Sequence, residues 1–191
     1  MTRDLIKMNN RDIIRIIGYH TTTINNARFI RRPSDFRPSV SKKDWLGKGV
    51  YFWDEIINAR WWAKARKFFN VRYIFRCLLE CDGIYFFDLD KTEECTLYRE
   101  FVDNIDRYVV KMSNELKDRY IDYDFKSVEE IRCFYLDAFK EINNIKLIRR
   151  SFDVEGDNTP DDGIIMRRRQ LCVTDKFQSD VIKTMEMYHE Q

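Results

Sequence analysis

His20, Tyr51 and Trp62 are the residues whose types and setting suggest chemistry. His20 stands in Gly18-Tyr19-His20-Thr21, and the other two belong to the run W-L-G-K-G-V-Y-F-W-D-E-I-I-N-A-R-W-W that fills positions 45–62. A histidine at a strand end with a strand tyrosine and a helix tryptophan nearby could grip a flat cationic ring. An aromatic face attracts such a ring by roughly 0.5–2 kcal/mol beyond the burial of its area. The same residues also read as a satisfied structural histidine and as aromatic core, so taken singly none decides the matter.

Several other chemistries are excluded. Two histidines in the whole chain rule out a three-histidine metal centre, and no H-E-x-x-H spacing occurs. A G-x-S-x-G nucleophile elbow is absent, as are G-x-x-x-x-G-K-[ST] and a G-x-G-x-x-G that opens a helix. The Gly47-Lys48-Gly49 sequence is therefore not a phosphate loop of the usual kind.

The elements that must position these residues follow from local pattern. Residues 13–19 are short and β-branched and read as a first strand ending in His20. A brief helix is expected over 24–31, closed by Pro33 and Pro38, then a polar loop over 34–44. Residues 49–53 alternate as a second strand, with Tyr51 and Trp53 on one face and Val50 and Phe52 on the other. Asp54 could cap a helix running to about residue 69. Strands are expected over 72–81 and 84–89, parted by Asp82-Gly83, and again over 146–152 and 168–173. Between them, residues 92–143 read as a helical, acidic insertion. Its second half opens on a Ser127-x-x-Glu130 capping box and carries Ile131, Phe134, Tyr135, Ala138, Phe139 and Ile142 at helical spacing. Short strands, then helices, then strands again imply an α+β fold and a single domain over residues 1–191.

Composition supports a packed globular chain: 44% of its residues are hydrophobic, 15% aromatic, and only three are proline. The five cysteines form no C-x-x-C pair and are expected to be reduced and mostly buried. No run of about 18 uncharged apolar residues occurs, and the first residues lack the apolar core of a signal peptide, so a cytoplasmic location is expected. The net charge of +2 hides two blocks. Residues 28–76 hold thirteen Lys/Arg against four Asp/Glu, and residues 77–141 hold nine against seventeen. Opposed helix faces that dock on each other would explain this, as would a basic surface facing an anionic ligand.

Together the motifs resemble the ADP-ribosyltransferase fold, in its diphtheria-toxin and poly-ADP-ribose-polymerase branch with the His-Tyr-Glu signature. Tyr19-His20-Thr21-Thr22 is similar to the branch's first motif, Tyr-His-Gly-Thr, and Gly47-Lys48-Gly49-Val50-Tyr51-Phe52 to its second, Gly-Lys-Gly-Ile-Tyr-Phe. Trp62 stands eleven positions beyond Tyr51, where the branch carries a helix aromatic, and Gln170-Leu171-Cys172-Val173 resembles its third strand. The resemblance implies a split sheet of short strands with flanking helices, and NAD as co-substrate with no metal. It assigns His20, Thr21, Gly49, Tyr51 and Trp62 to dinucleotide binding. His20 would bond the adenosine-side ribose, the Thr21 backbone the carboxamide, and Tyr51 and Trp62 would sandwich the nicotinamide.

Catalysis, by the same resemblance, involves His20, Tyr51 and Gln170. Two positions depart from the branch pattern. Thr21 replaces a glycine, and Gln170 stands where a glutamate normally binds the nicotinamide ribose. A neutral amide makes roughly half as strong a hydrogen bond as a carboxylate, so turnover should suffer, although relatives vary here with Gln included. Glu155, on the loop that usually faces the target, is a candidate substitute carboxylate, or else an ordinary exposed loop acid. The implied activity is transfer of ADP-ribose from NAD to a macromolecule, in a toxin, toxin–antitoxin or antiviral defence setting. RNA or DNA is favoured slightly over protein as acceptor, because Arg28, Arg31, Arg32, Arg37, Lys42, Lys43 and Arg167–Arg169 accompany the motifs. An antitoxin or inhibitor protein is a further expected partner, and no membrane is. The alternatives are a non-catalytic NAD-binding module of the same fold and an RNA 2′-phosphotransferase-like enzyme.

Overall fold

The computed structural model of the protein describes residues 12–39, 41–65, 72–122, 125–153 and 167–188. The described strands are β1 (Ile13–Thr23), β2 (Val50–Trp53), β3 (Arg72–Asp82), β4 (Phe86–Asp88), β5 (Leu147–Asp153), β6 (Arg167–Val173) and β7 (Ile182–Tyr188). They form one seven-stranded sheet in the order β4-β5-β6-β2-β1-β3-β7, antiparallel throughout except for the β4–β5 pair. The α+β class therefore stands. Two of the strands are not short: β1 and β3 run for eleven residues each and pair along their whole length.

Alternation along the strands separates two cores. One face carries Phe52, Phe75, Cys77, Leu79, Leu147, Leu171 and Val173 and is covered by the helical turns α1 (Ile24–Ala27) and α6 (Gln178–Val181) with Ile30 and Phe36. On the other face lie α2 (Ile56–Ala65) and the expected helical insertion, made of α3 (Thr92–Asp103), a 3-10 stretch Ile105–Lys111, α4 (Asn114–Asp122) and α5 (Val128–Ile142).

The capping box of α5 is half formed. Ser127 Oγ accepts the Glu130 amide at 3.3 Å, while the Glu130 carboxylate takes the Lys126 amide at 3.1 Å in place of the Ser127 one. Phe134, Ala138 and Phe139 are buried as their spacing requires, and so are the charged Asp137 and Lys140.

The structure departs from local pattern at three points. The helix expected over 24–31 stops at Ala27, and the chain turns so that Ile30 and Phe36, 5% and 1% exposed, reach the core. β4 does not return along β3. A 3-10 turn at Gly83–Tyr85 sends it to the far edge of the sheet, where it pairs with β5 in parallel. The edge strand β7 is an addition, and its bulge against Leu78/Leu79 turns Ile182, Met185 and Met187 to one face although their spacing breaks the alternation. The five cysteines are free thiols, four of them buried, and no described helix is long and apolar enough to cross a membrane. Helix α2 is described as far as Ala65, and the remainder of the stretch expected to reach residue 69 lies outside the described residues.

Candidate functional site

The three motif strands are neighbours. β2 lies between β1 and β6, with Tyr19 opposite Trp53, Trp53 opposite Gln170 and Tyr51 opposite Cys172. The β1–β2 contact contains one registered pair, Tyr19 with Trp53. Immediately beyond it the strands part, and the His20 side chain enters the gap, with Nδ1 2.8 Å from the Tyr51 carbonyl oxygen. A carbonyl only accepts, so Nδ1 carries the proton. Burial lowers the imidazole pKa and the bond to Tyr51 partly opposes this, so the ring is held neutral.

His20 does not share a slot with the aromatic rings. Its ring packs edge-on against Phe36 at 5.0 Å and tilted against Phe52 at 5.6 Å, on the face opposite Tyr51 and Trp53. It meets Tyr51 through the main chain alone.

The Gly-Lys-Gly loop is explained by what it touches. Gly47 has φ +75°, and a Cβ there would lie 2.3 Å from Asp137 Oδ1. Gly49 has φ +155°, and a Cβ would lie 2.4 Å from the Val173 carbonyl oxygen. Lys140 donates from Nζ to the carbonyls of Leu46 at 2.9 Å and Lys48 at 2.6 Å. Asp137 accepts the Lys48 amide at 2.6 Å and an Arg119 guanidinium at 3.0 Å, and lies 3.4 Å from Lys140. Tyr51 closes the loop from the sheet side: its hydroxyl donates to the Gly47 carbonyl at 2.6 Å and accepts the Leu46 amide at 2.8 Å. Burial raises the phenol well above its ordinary pKa, so it stays protonated. The adjacent Cys172 thiol is pushed up to about 12 by burial and supplies no nucleophile near neutral pH.

Four tryptophans gather on the Tyr51 face. Trp62 lies 6.2 Å from Trp45, 5.8 Å from Trp53 and 6.0 Å from Trp61, and Trp45 continues to Phe152 at 4.6 Å. Trp62 belongs to the cluster beneath α2 and Tyr51 to the one beneath the insertion, with Trp45 joining them. Thr21 points its hydroxyl at the Ala59 carbonyl of α2, 3.0 Å away, so the threonine docks that helix on β1.

Gln170 is 5% exposed, and its Oε1 is buried with no hydrogen-bond partner among the described residues. Leaving such an acceptor unmet costs about 1–3 kcal/mol, which calls for an explanation. Trp53 flanks it on one side and Arg150 of β5 on the other. Arg168, two residues back, stacks over Trp61 at 4.4 Å and donates to the Asn58 side chain at 2.7 Å. Sequence reading named Arg168 only within the basic run Arg167–Arg169 and missed Arg150 and Asn58. The parity of Arg168 with Gln170 was the available signal, masked because three successive arginines fill positions 167–169. Glu155 lies outside the described residues. Beside this face, Asp54, Glu55, Asn58, Asp90, Ser151, Arg167 and Arg169 line a polar cavity of about 340 Å³.

No protein-family model matches the chain, and no solved structure matches it. An uncharacterized protein of Methanocaldococcus jannaschii, MJ0359, is 30% identical over 90 residues, which are 44% of this chain and 42% of that protein's length.

Two outcomes follow from the geometry. Asp137→Ala strands the Lys140 charge and should cost about 3–5 kcal/mol in urea unfolding, and Asp137→Leu with Lys140→Met should not restore that loss, because the Leu46 and Lys48 carbonyls and the Lys48 amide are then left unmet. For His20, the unfolded chain takes up a proton near the ordinary pKa of 6.5 while the folded chain resists it. Its contribution to stability is therefore complete above that pH and is lost as the pH falls below it. His20→Gln should flatten the stability profile between about pH 7 and 5, and a profile unchanged from wild type would remove the neutral, buried imidazole from the account.

Proposed function

We propose that the protein is an NAD-dependent ADP-ribosyltransferase, with Gln170 of β6 and the tryptophans of the same face as the ligand surface, and His20 of β1 and Tyr51 of β2 as the residues that hold its strands in place. The observation that supports this most is the unmet Gln170 Oε1, placed beside Trp53 on the strand next to that of Tyr51. An acceptor kept dry and unpartnered beside an aromatic surface suits a sugar hydroxyl of a ligand whose planar cationic ring the tryptophans can cover.

On this reading the bond from the ribose anomeric carbon to the pyridinium nitrogen breaks, and its electron pair leaves with the nitrogen as neutral nicotinamide. Positive charge develops on the sugar, and an acceptor nucleophile then bonds to the same carbon and gives up its proton. Gln170 holds a hydroxyl of that sugar and orients it. As a neutral acceptor it stabilises the cation less than a carboxylate would. Arg150, opposite Gln170, suits the pyrophosphate of the dinucleotide. Tyr51 holds the Gly-Lys-Gly loop in register with β6, and His20 fixes the gap between β1 and β2. A toxin or defence role in the cytoplasm is the setting that accords with this activity.

A second reading draws on one specific observation, the two guanidiniums of Arg150 and Arg168 on the same face as Gln170. Cationic groups there oppose a positively charged sugar and would suit an RNA 2′-phosphate, as in a 2′-phosphotransferase.

Labelled NAD supplied with separate RNA, DNA, protein and 2′-phosphorylated RNA pools distinguishes these. Nicotinamide release with label passed to a macromolecule is expected, with Gln170→Glu raising the rate and Gln170→Ala lowering it at least about tenfold, the usual worth of a transition-state contact. Release confined to 2′-phosphorylated RNA would favour the second reading. NAD binding with no release in any pool, unchanged by Gln170→Glu, would leave only a binding module.

A further inference from the structure

We propose that the segment between α1 and Ser39 is a docking surface for single-stranded nucleic acid, with Phe29 as the stacking residue and Arg28, Arg31 and Arg37 as the phosphate contacts. Its role in presenting the acceptor rests on the transferase reading above, but the binding does not.

The segment is tied down at three points and turned outward between them. Ala27, Ile30 and Phe36 are buried at 1%, 5% and 1% exposure, and the Phe36 ring packs on His20 at 5.0 Å and on Phe75 at 5.5 Å. Arg28, Arg31, Arg32 and Arg37 face solvent between these anchors, and Phe29 is 61% exposed. A phenylalanine displayed this way buries little of its surface in the core, and the anchors hold it in place at little further entropic cost on binding.

The charge is left uncompensated. Asp35 is the one acid among these residues, and it is consumed locally. Its carboxylate accepts the Arg31 and Arg32 amides at 2.9 and 3.0 Å and the Arg32 guanidinium at 3.2 Å. Arg28 lies over the Phe29 ring at 5.2 Å, with an Asn25 side chain 3.4 Å away. Neither the Arg31 nor the Arg37 guanidinium meets a carboxylate among the described residues.

A flat apolar ring set beside guanidiniums of which Arg31 and Arg37 meet no carboxylate among the described residues matches a chain of phosphates bearing unstacked bases. In a duplex the bases are already stacked and closed to Phe29. Of the other large exposed apolar residues, Val110, Ile121 and Val128 lie on the acidic insertion, where a phosphate backbone would be repelled, and Ile13, Ile57 and Tyr188 lie on β1, α2 and β7, while Ile24 opens α1 beside the segment itself. Because Phe36 seats this segment on His20, a strand bound here runs beside the gap between β1 and β2.

The test is fluorescence anisotropy on the whole chain without NAD, using labelled single-stranded RNA and single-stranded DNA of about twelve nucleotides and an RNA duplex. Single strands should bind more tightly than the duplex, with the stronger of the two naming the preferred sugar, and affinity should fall steeply as salt rises. Phe29→Ala should weaken binding about tenfold with the salt dependence retained. Arg31→Ala with Arg37→Ala should reduce the slope of log K against log salt by about 1.4. Val110→Ala, distant and exposed, should bind as wild type, and unchanged melting temperatures show that the variants fold. Absence of binding, equal affinity for duplex, or Phe29→Ala within about twofold of wild type would overturn the proposal and turn attention to a protein acceptor. Oligonucleotide binding by a protein that consumes no NAD would count against the transferase reading alone.

Discussion

The hydrogen bond from His20 Nδ1 to the Tyr51 carbonyl is the constraint on which the candidate site depends, because it stands where β1 and β2 stop pairing. A continuous ladder would satisfy that carbonyl with a backbone amide and close the sheet. With the imidazole in its place the main chain remains satisfied while the strands separate. The bond needs a proton on Nδ1, and burial against Phe36 and Phe52 keeps the ring neutral in that tautomer. One side chain thus joins the apolar core on one face to the tyrosine strand that serves the other, and it also supports the arginine-bearing segment through Phe36.

A second fixture holds the loop that leads into β2. The Asp137–Lys140 pair spends its hydrogen bonds on the Leu46 and Lys48 carbonyls and the Lys48 amide, which would otherwise be unmet polar groups beneath the insertion. Burying two charges costs several kcal/mol per ion before these contacts offset it, so the pair specifies position more than it adds stability. Both glycines follow from the same packing. Gly47 must let the loop approach Asp137, and Gly49 must let β2 approach β6, which sets Tyr51 opposite Cys172 and Trp53 opposite Gln170. The motif that looked like a ligand-binding loop is in the first place a docking joint between helix and sheet.

Much of this was legible in the sequence. The strands around His20, Tyr51 and Gln170, the helix carrying Trp62, the helical insertion and the alternation of Tyr51 with Phe52 all follow from local pattern. Which face His20 takes did not follow, since it depends on the register of Tyr19 with Trp53, a pairing between residues far apart in the chain. The strand β7 escaped because its bulge breaks the period-two pattern. Asp137 and Lys140 were hidden because a charged pair three residues apart on an amphipathic helix normally faces solvent, and only the loop carbonyls draw this one inward. The unmet Gln170 acceptor is a property of its surroundings, invisible in the residue type.

The central proposal is that Gln170 Oε1, unpartnered among the described residues, is kept for a ligand sugar, and a crystal structure of the protein grown with saturating NAD addresses it most directly. The account predicts the dinucleotide at the gap between β1 and β2, with a ribose hydroxyl in hydrogen-bond contact with Gln170 Oε1 and its cationic ring against the aromatic surface of Trp45, Trp53 and Trp62. Gln170 Oε1 bonded to a protein group or a buried water, with the dinucleotide absent or bound elsewhere, would contradict it.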